Sequence, residues 1–186
     1  MSALGAVALG AWPSLGIVFE YRRDALVGGE LWRAWTDHLA HFGASHLFWN
    51  LLLFLPTGVW LERNQPWLFR AYLFFSAPLI SAVLYFVQPD LLAYRGLSGL
   101  AAGMLVLLSC WQLSCGSRRE SSWFWFLVLT LLAGKIICEL ITGNALLASD
   151  LQDVGPVPMA HVSGGGTALS TWALYRKWRR KPAGAS

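Results

Sequence analysis

The stretch GLSGLAAGMLVLLSCWQLSCGS, residues 96–117, contains no Asp, Glu, Lys or Arg. Its apolar residues fall on every face of a helix, whereas a helix on the surface of a soluble domain keeps one apolar stripe. About 20 mostly apolar residues cross a bilayer core as a helix, so this stretch is long enough to span. It also opens on Ser98 set between Gly96-Leu97 and Gly99, a hydroxyl where an apolar run begins. The span and the serine at its mouth together direct the reading of the rest of the chain.

The same pattern recurs on both sides. Residues 1–19, 38–61, 71–89 and 154–175 are likewise free of Asp, Glu, Lys and Arg, and residues 121–134 extend to Ala148 with only Lys135 and Glu139 interrupting. The chain has 186 residues, 56% hydrophobic and 13% charged, against about 25% charged in ordinary soluble domains. The expectation is one all-α membrane domain over residues 1–186, a six-helix bundle. Its spans fall near 3–19, 43–61, 67–88, 97–115, 122–146 and 158–175, with a basic tail over 176–186. The first run lacks a basic leading segment and ends at Phe19-Glu20-Tyr21, which is no small-residue cleavage site, so it reads as a span and not a signal peptide. Cys110, Cys115 and Cys138 have no metal-ligand spacing and read as buried small apolar residues of the core.

The basic residues orient the spans. With both termini inside, the inner segments hold Arg63, Arg70, Arg118, Arg119, Arg176, Lys177, Arg179, Arg180 and Lys181, nine in all, against four outside: Arg22, Arg23, Arg33 and Arg95. That bias follows the positive-inside rule. The basic tail therefore reads as a lipid-facing, orienting segment and not as a nucleic-acid site. The external stretch 20–42 mixes Trp32, Trp35, Asp37 and His38 with small apolar residues, as suits a membrane interface.

Polar side chains in spans are costly and mark function or pairing. His46 and Asn50 in the second span, Ser98 in the fourth and His161 in the sixth all lie near the outer end of spans that run the same way. A serine hydroxyl attacks a carbonyl only when a base removes its proton, and histidine is the usual base. His46 and Asn50 stand four apart on one helical face and offer donors for an oxyanion. No carboxylate is read in that layer, so a Ser98–His161 dyad is expected in place of a triad. Gly99 and Gly103, and Gly164-Gly165-Gly166, would let the fourth and sixth helices approach closely.

These residues resemble the signature of the rhomboid family of intramembrane serine proteases in three places. His46-Leu-Phe-Trp-Asn50 is similar to HxxxN of its second helix, Gly96-Leu97-Ser98-Gly99 to GxSG of the fourth, and Ala160-His161 with Gly164 to AHxxG of the sixth. His41 and Trp32-Arg33 also have counterparts. The resemblance implies Ser98 as nucleophile and His161 as general base and acid. It implies Asn50, His46 and the Ser98 N–H as oxyanion donors, with Gly96, Gly99 and Gly164 supporting the motif. It also implies a multi-pass protein of the bacterial inner membrane whose site opens on the periplasmic side. One departure is Ala102, where many bacterial rhomboids carry an aromatic that stacks on the catalytic histidine.

The compact size and the Tyr21-Arg22-Arg23-Asp24-Ala25 segment before Gly29-Glu30-Leu31-Trp32-Arg33 resemble the rhombosortase branch. That likeness implies exported substrates with a Gly-Gly-containing C-terminal sorting helix. The alternatives are a general rhomboid protease acting on other single-pass proteins and an inactive binder of membrane helices. A small transporter predicts polar residues spread through the membrane depth. No cofactor, metal or nucleic-acid partner is expected, and the oligomeric state is open. His38 and His41 lack a third ligand and read as structural. Lys135 and Glu139, one turn apart, read as paired with each other. Tyr94 and Arg95 border the serine motif without an assigned role.

Overall fold

Prolines and glycines divide the chain much as its charge pattern suggests. The computed structural model describes residues 13–115, 119–147 and 155–179. In chain order these form α1 (Pro13–Phe19), β1 (Tyr21–Arg22), α2 (Arg23–Val27), α3 (Arg33–Thr36), α4 (Ala44–Asn64), α5 (Pro66–Val87), β2 (Ala93–Tyr94), α6 (Ser98–Ser114), α7 (Arg119–Thr142) and α8 (Pro158–Arg179). Pro66 and Pro158 open their helices, where a missing N–H costs nothing. Pro56 and Pro78 lie inside α4 and α5, a placement that membrane helices tolerate through local adjustment.

Three helices among the described residues are long and apolar enough to cross a membrane: α4, α5 and the Ser122–Thr142 part of α7. The expected six spans are thus met only in part. Of the first, the described residues include only Pro13–Phe19, and positions 3–12 lie outside them. α6 is apolar but has 17 residues, and α8 has the length while its small and hydroxyl residues dilute its apolar character. The physical reason is burial. α6 hides Gly99 through Met104, then Leu107, Leu108 and Ser109, so protein and not lipid surrounds it, and small residues serve there as well as leucine.

α4, α6 and α8 run parallel, as their contacts show. His46 meets Gly96 and Gly58 meets Met104, while Ala160 meets Gly99 and Gly164 meets Gly103. α5 returns antiparallel to α4, with Gly58 against Phe69 and Glu62 paired to Arg70. At the far end the Tyr175 hydroxyl donates to Gln65 Oε1, tying α8 to the α4–α5 turn. The outer faces of α4, α5 and α7 expose Phe48, Leu52, Phe74, Leu79, Phe126 and Leu131. α7 is the most peripheral: 11% of its most apolar stretch is buried, against 33% for α4 and α5. Cys115 is exposed, and Cys110 and Cys138 are half-buried, so none is the core residue expected.

The tightest seam joins α6 to α8 and is made of backbone. A Cβ on Gly99 would stand 2.7 Å from the Ala160 carbonyl oxygen, one on Gly103 would overlap the Tyr72 hydroxyl and the Gly164 carbonyl, and one on Gly164 would overlap the Gly99 carbonyl. Buried Tyr72 of α5 donates to the Leu100 carbonyl at 3.1 Å and reaches that of Gly164 at 3.5 Å, linking three helices through one hydroxyl. Gly103→Ala or Gly164→Ala is therefore expected to destabilise the protein by about 1–3 kcal/mol or more through overpacking. Gly134→Ala, where nothing lies within 4 Å of a new Cβ, is the control. Thermal unfolding in detergent should show a lower midpoint for the first two and none for the third; equal midpoints would contradict the seam.

Candidate active site

The external segment ahead of α4 holds the turn that delivers Ser98. Buried Arg33 donates to the carbonyls of Ile17 (3.1 Å) and Glu20 (2.9 Å) and to the Glu30 carboxylate (2.6 Å). Arg95 pairs with Glu20 at 2.6 Å and lies over the Phe42 ring. The two-residue ladder pairs Tyr21 with Tyr94 and Arg22 with Ala93. The segment thus packs into the protein more deeply than an interface loop requires: Tyr21, Asp37, His38 and Ala40 are fully buried, although Trp32 and Trp35 stay exposed.

Gly96 is the focus of this packing. Its N–H donates to the Asp37 carbonyl at 3.1 Å. Its carbonyl accepts from the Tyr94 hydroxyl at 3.0 Å and lies 3.3 Å from His38 Nδ1. His38 Nε2 is 3.0 Å from the Ala77 carbonyl oxygen of α5, and the Ser81 hydroxyl donates to Asp37 Oδ2 at 2.6 Å. Asp37 and His38 thereby brace the serine turn against α5. Burial raises the Asp37 carboxyl above its ordinary range, opposed by His38 and the Ser81 hydroxyl. Among the described residues no cluster of three or more His, Cys, Asp or Glu could hold a metal ion.

The positive φ of Gly96 (+133°) brings its backbone against α4, where an added Cβ would stand 2.7 Å from His46 Cε1 and 3.5 Å from Asn50 Nδ2. His46 and Asn50 are both buried on one face of α4. Burial first, and then His46, push His41 down to about 3, so its ring is neutral at ordinary pH. It sits edge-on to His46 at 5.0 Å between centroids.

One cavity of about 290 Å³ is lined by His46, Asn50, Ser98 and His161, with Tyr94, Arg95 and Phe42 also on its wall. The fold therefore brings together the four polar residues singled out by their place in the spans. Ser98 heads α6 one residue before the Gly99–Ala160 contact, and His161 follows Ala160 on α8. Among the described residues no direct hydrogen bond joins Ser98 to His161. The Ser98 hydroxyl lies instead beside Tyr94. Burial, then Asp37, raise that phenol well above its usual range, while the Ser98 hydroxyl and the Gly99 N–H lower it. Asn50 Nδ2 is buried without a hydrogen-bond partner.

Two features escaped the sequence reading. Tyr94 is buried at the serine, which its place beside a motif did not reveal. The expectation that no carboxylate shares the layer of His161 is overturned, because Glu139 Oε2 of α7 lies 3.5 Å from His161 Nδ1. Glu139 is also paired with Lys135 at 2.8 Å, and Lys135, Glu139 and Ala102 all line the same cavity. The one available signal was the rarity of a carboxylate in an apolar run, and pairing within the helix absorbed it.

A family model for the rhomboid domain matches residues 28–178. The match covers α3 through most of α8, and the chain belongs to the rhomboid family, a membrane family whose members are generally intramembrane serine proteases. A search of curated proteins returned no match.

The Gly96 turn gives a direct check. Gly96→Ala forces a side chain into a backbone region that costs about 1–3 kcal/mol and drives it into the His46 ring. We expect a lower thermal midpoint and loss of whatever reaction the cavity supports. A variant with wild-type stability and activity would show that the turn tolerates a side chain.

Proposed function

We propose that this protein is an intramembrane serine endopeptidase that cuts a peptide bond in or near a substrate transmembrane helix. The observation that carries this reading is the common cavity of Ser98, His161, His46 and Asn50, contributed by three helices. In the proposed reaction Ser98 Oγ attacks the scissile carbonyl carbon as His161 takes its proton. The oxygen that becomes negative is received by the Asn50 amide, His46 and the Ser98 N–H. A buried amide donor left unpartnered costs about 1–3 kcal/mol, and Asn50 Nδ2 is such a donor. His161 then protonates the departing amine as the C–N bond breaks. Water, activated by His161, hydrolyses the acyl-serine ester.

The membrane setting belongs to the same proposal. Six spans with both termini in the cytoplasm put the cavity on the periplasmic side of a bacterial inner membrane, in line with the distribution of Arg and Lys. Water reaches the site from that side, and a substrate helix unwinds there most readily at small or helix-breaking residues. The substrates proposed are exported proteins ending in a Gly-Gly-containing sorting helix, supported by the likeness of residues 21–33 to the rhombosortase branch. Cleavage of other single-pass proteins is the alternative substrate class. An inactive helix binder is the contrasting function; retention of both Ser98 and His161 speaks against it.

Co-expression with an exported protein bearing a Gly-Gly tail tests the reading by mass spectrometry. Ser98→Ala and His161→Ala are expected to abolish cleavage while the protein remains folded and inserted, and Asn50→Ala to slow it on the order of 10²-fold. A fluorophosphonate probe should label Ser98 in the wild type only. Turnover retained by Ser98→Ala would refute the covalent route, and an unlabelled wild type would favour the binder.

A further inference from the structure

His161 has no stacking aromatic at position 102, where alanine lines the cavity. What lies against its ring instead is a carboxylate. Glu139 Oε2 is 3.5 Å from His161 Nδ1, and that nitrogen is buried with no hydrogen-bond partner among the described residues. Glu139 is 3% exposed. Lys135 Nζ lies 2.8 Å from each of its oxygens, and the Leu146 N–H donates to Oε1 at 3.3 Å. The carboxylate is thus fixed within its own helix and the chain that follows, with one oxygen presented to the ring of α8.

We propose that Glu139 is a positioning residue for His161, accepting the Nδ1–H and completing a Ser98–His161–Glu139 triad. This rests on the protease reading above and deepens it. A carboxylate at Nδ1 selects the tautomer that leaves Nε2 free to take the Ser98 proton, and it stabilises the imidazolium once that proton arrives. An N–H···O bond spans about 2.7–3.2 Å, so the pair must close by a few tenths of an ångström. Catalytic hydrogen bonds commonly tighten in this way when substrate binds. Lys135 restrains the carboxylate and also draws off part of its charge. The contribution is therefore smaller than the roughly 10⁴-fold effect of an aspartate in a soluble triad.

The competing account gives Glu139 no task except to neutralise Lys135. The full-length protein in detergent, treated with a fluorophosphonate probe, separates the two by the rate of Ser98 labelling. Glu139→Gln should label about 10-fold more slowly or worse. The double variant Lys135→Met/Glu139→Gln removes the unpaired ammonium, so it keeps the fold, and it should remain equally slow. Recovery of the wild-type rate in the double variant would assign Glu139 to charge neutralisation and overturn the proposal, as would a wild-type rate in Glu139→Gln. Wild-type protein that fails to label at all would bring down the protease reading itself, whereas normal wild-type labelling with unaffected variants would remove only the triad.

Discussion

Backbone contact between α6 and α8 sets the geometry on which the remainder of the molecule rests. Gly99 meets the carbonyl of Ala160, Gly103 meets Gly164, and Gly164 meets Gly99, so main chain meets main chain along this edge, with only the Ala160 methyl and the Tyr72 hydroxyl beside it. Ser98 and His161 each adjoin one of these contacts. Their mutual placement is therefore set by main-chain atoms, which cannot change rotamer. In a lipid surrounding, where burying apolar surface gives helices little reason to associate, close packing of this kind is what holds them together. Tyr72 reinforces it from α5 by donating to the Leu100 carbonyl.

A second layer of constraint comes from outside the bundle. Arg33, Glu20 and Arg95 are charged groups packed among apolar residues, and each has a partner of opposite charge or a carbonyl in reach, as burial of charge demands. Their network holds the external segment down. That segment in turn supplies Asp37 and His38 to the two polar atoms of Gly96, and Tyr94 of β2 adds its hydroxyl to the Gly96 carbonyl. The positive φ of Gly96 then sets its backbone against His46. Loop packing, turn shape and the layout of the polar cavity form one continuous chain of cause.

Much of this was legible in the sequence, for a definite reason. In an apolar run each polar residue stands out, so His46, Asn50, Ser98 and His161 were found by contrast alone, and their spacing from the span ends gave a common level. The same contrast failed for Glu139. Its i, i+4 spacing from Lys135 offered a sufficient partner, and a sequence does not state which way a helix is turned about its axis. The span count failed differently: α8 carries small residues because it packs against α6, and hydropathy does not distinguish a protein-lined helix from a short or polar one. The burial of Asp37 and His38 was hidden because an external segment of mixed composition suits a wet interface and a packed plug alike.

Of the long helices, α7 touches the rest of the molecule least, yet it is not free to spin. Most of its circumference is hydrocarbon-like, with Phe126, Leu131, Ile137 and Ile141 exposed. Lys135 and Glu139 occupy a single sector of it and point inward to the cavity. Turning the helix by one residue, about 100°, would swing an ammonium and a carboxylate toward the acyl chains, at a cost of about 2.5–3.5 kcal/mol for each charge. The bilayer thus acts as a torsional restraint: a helix with few protein neighbours keeps one azimuth because every other setting wets its charges with oil.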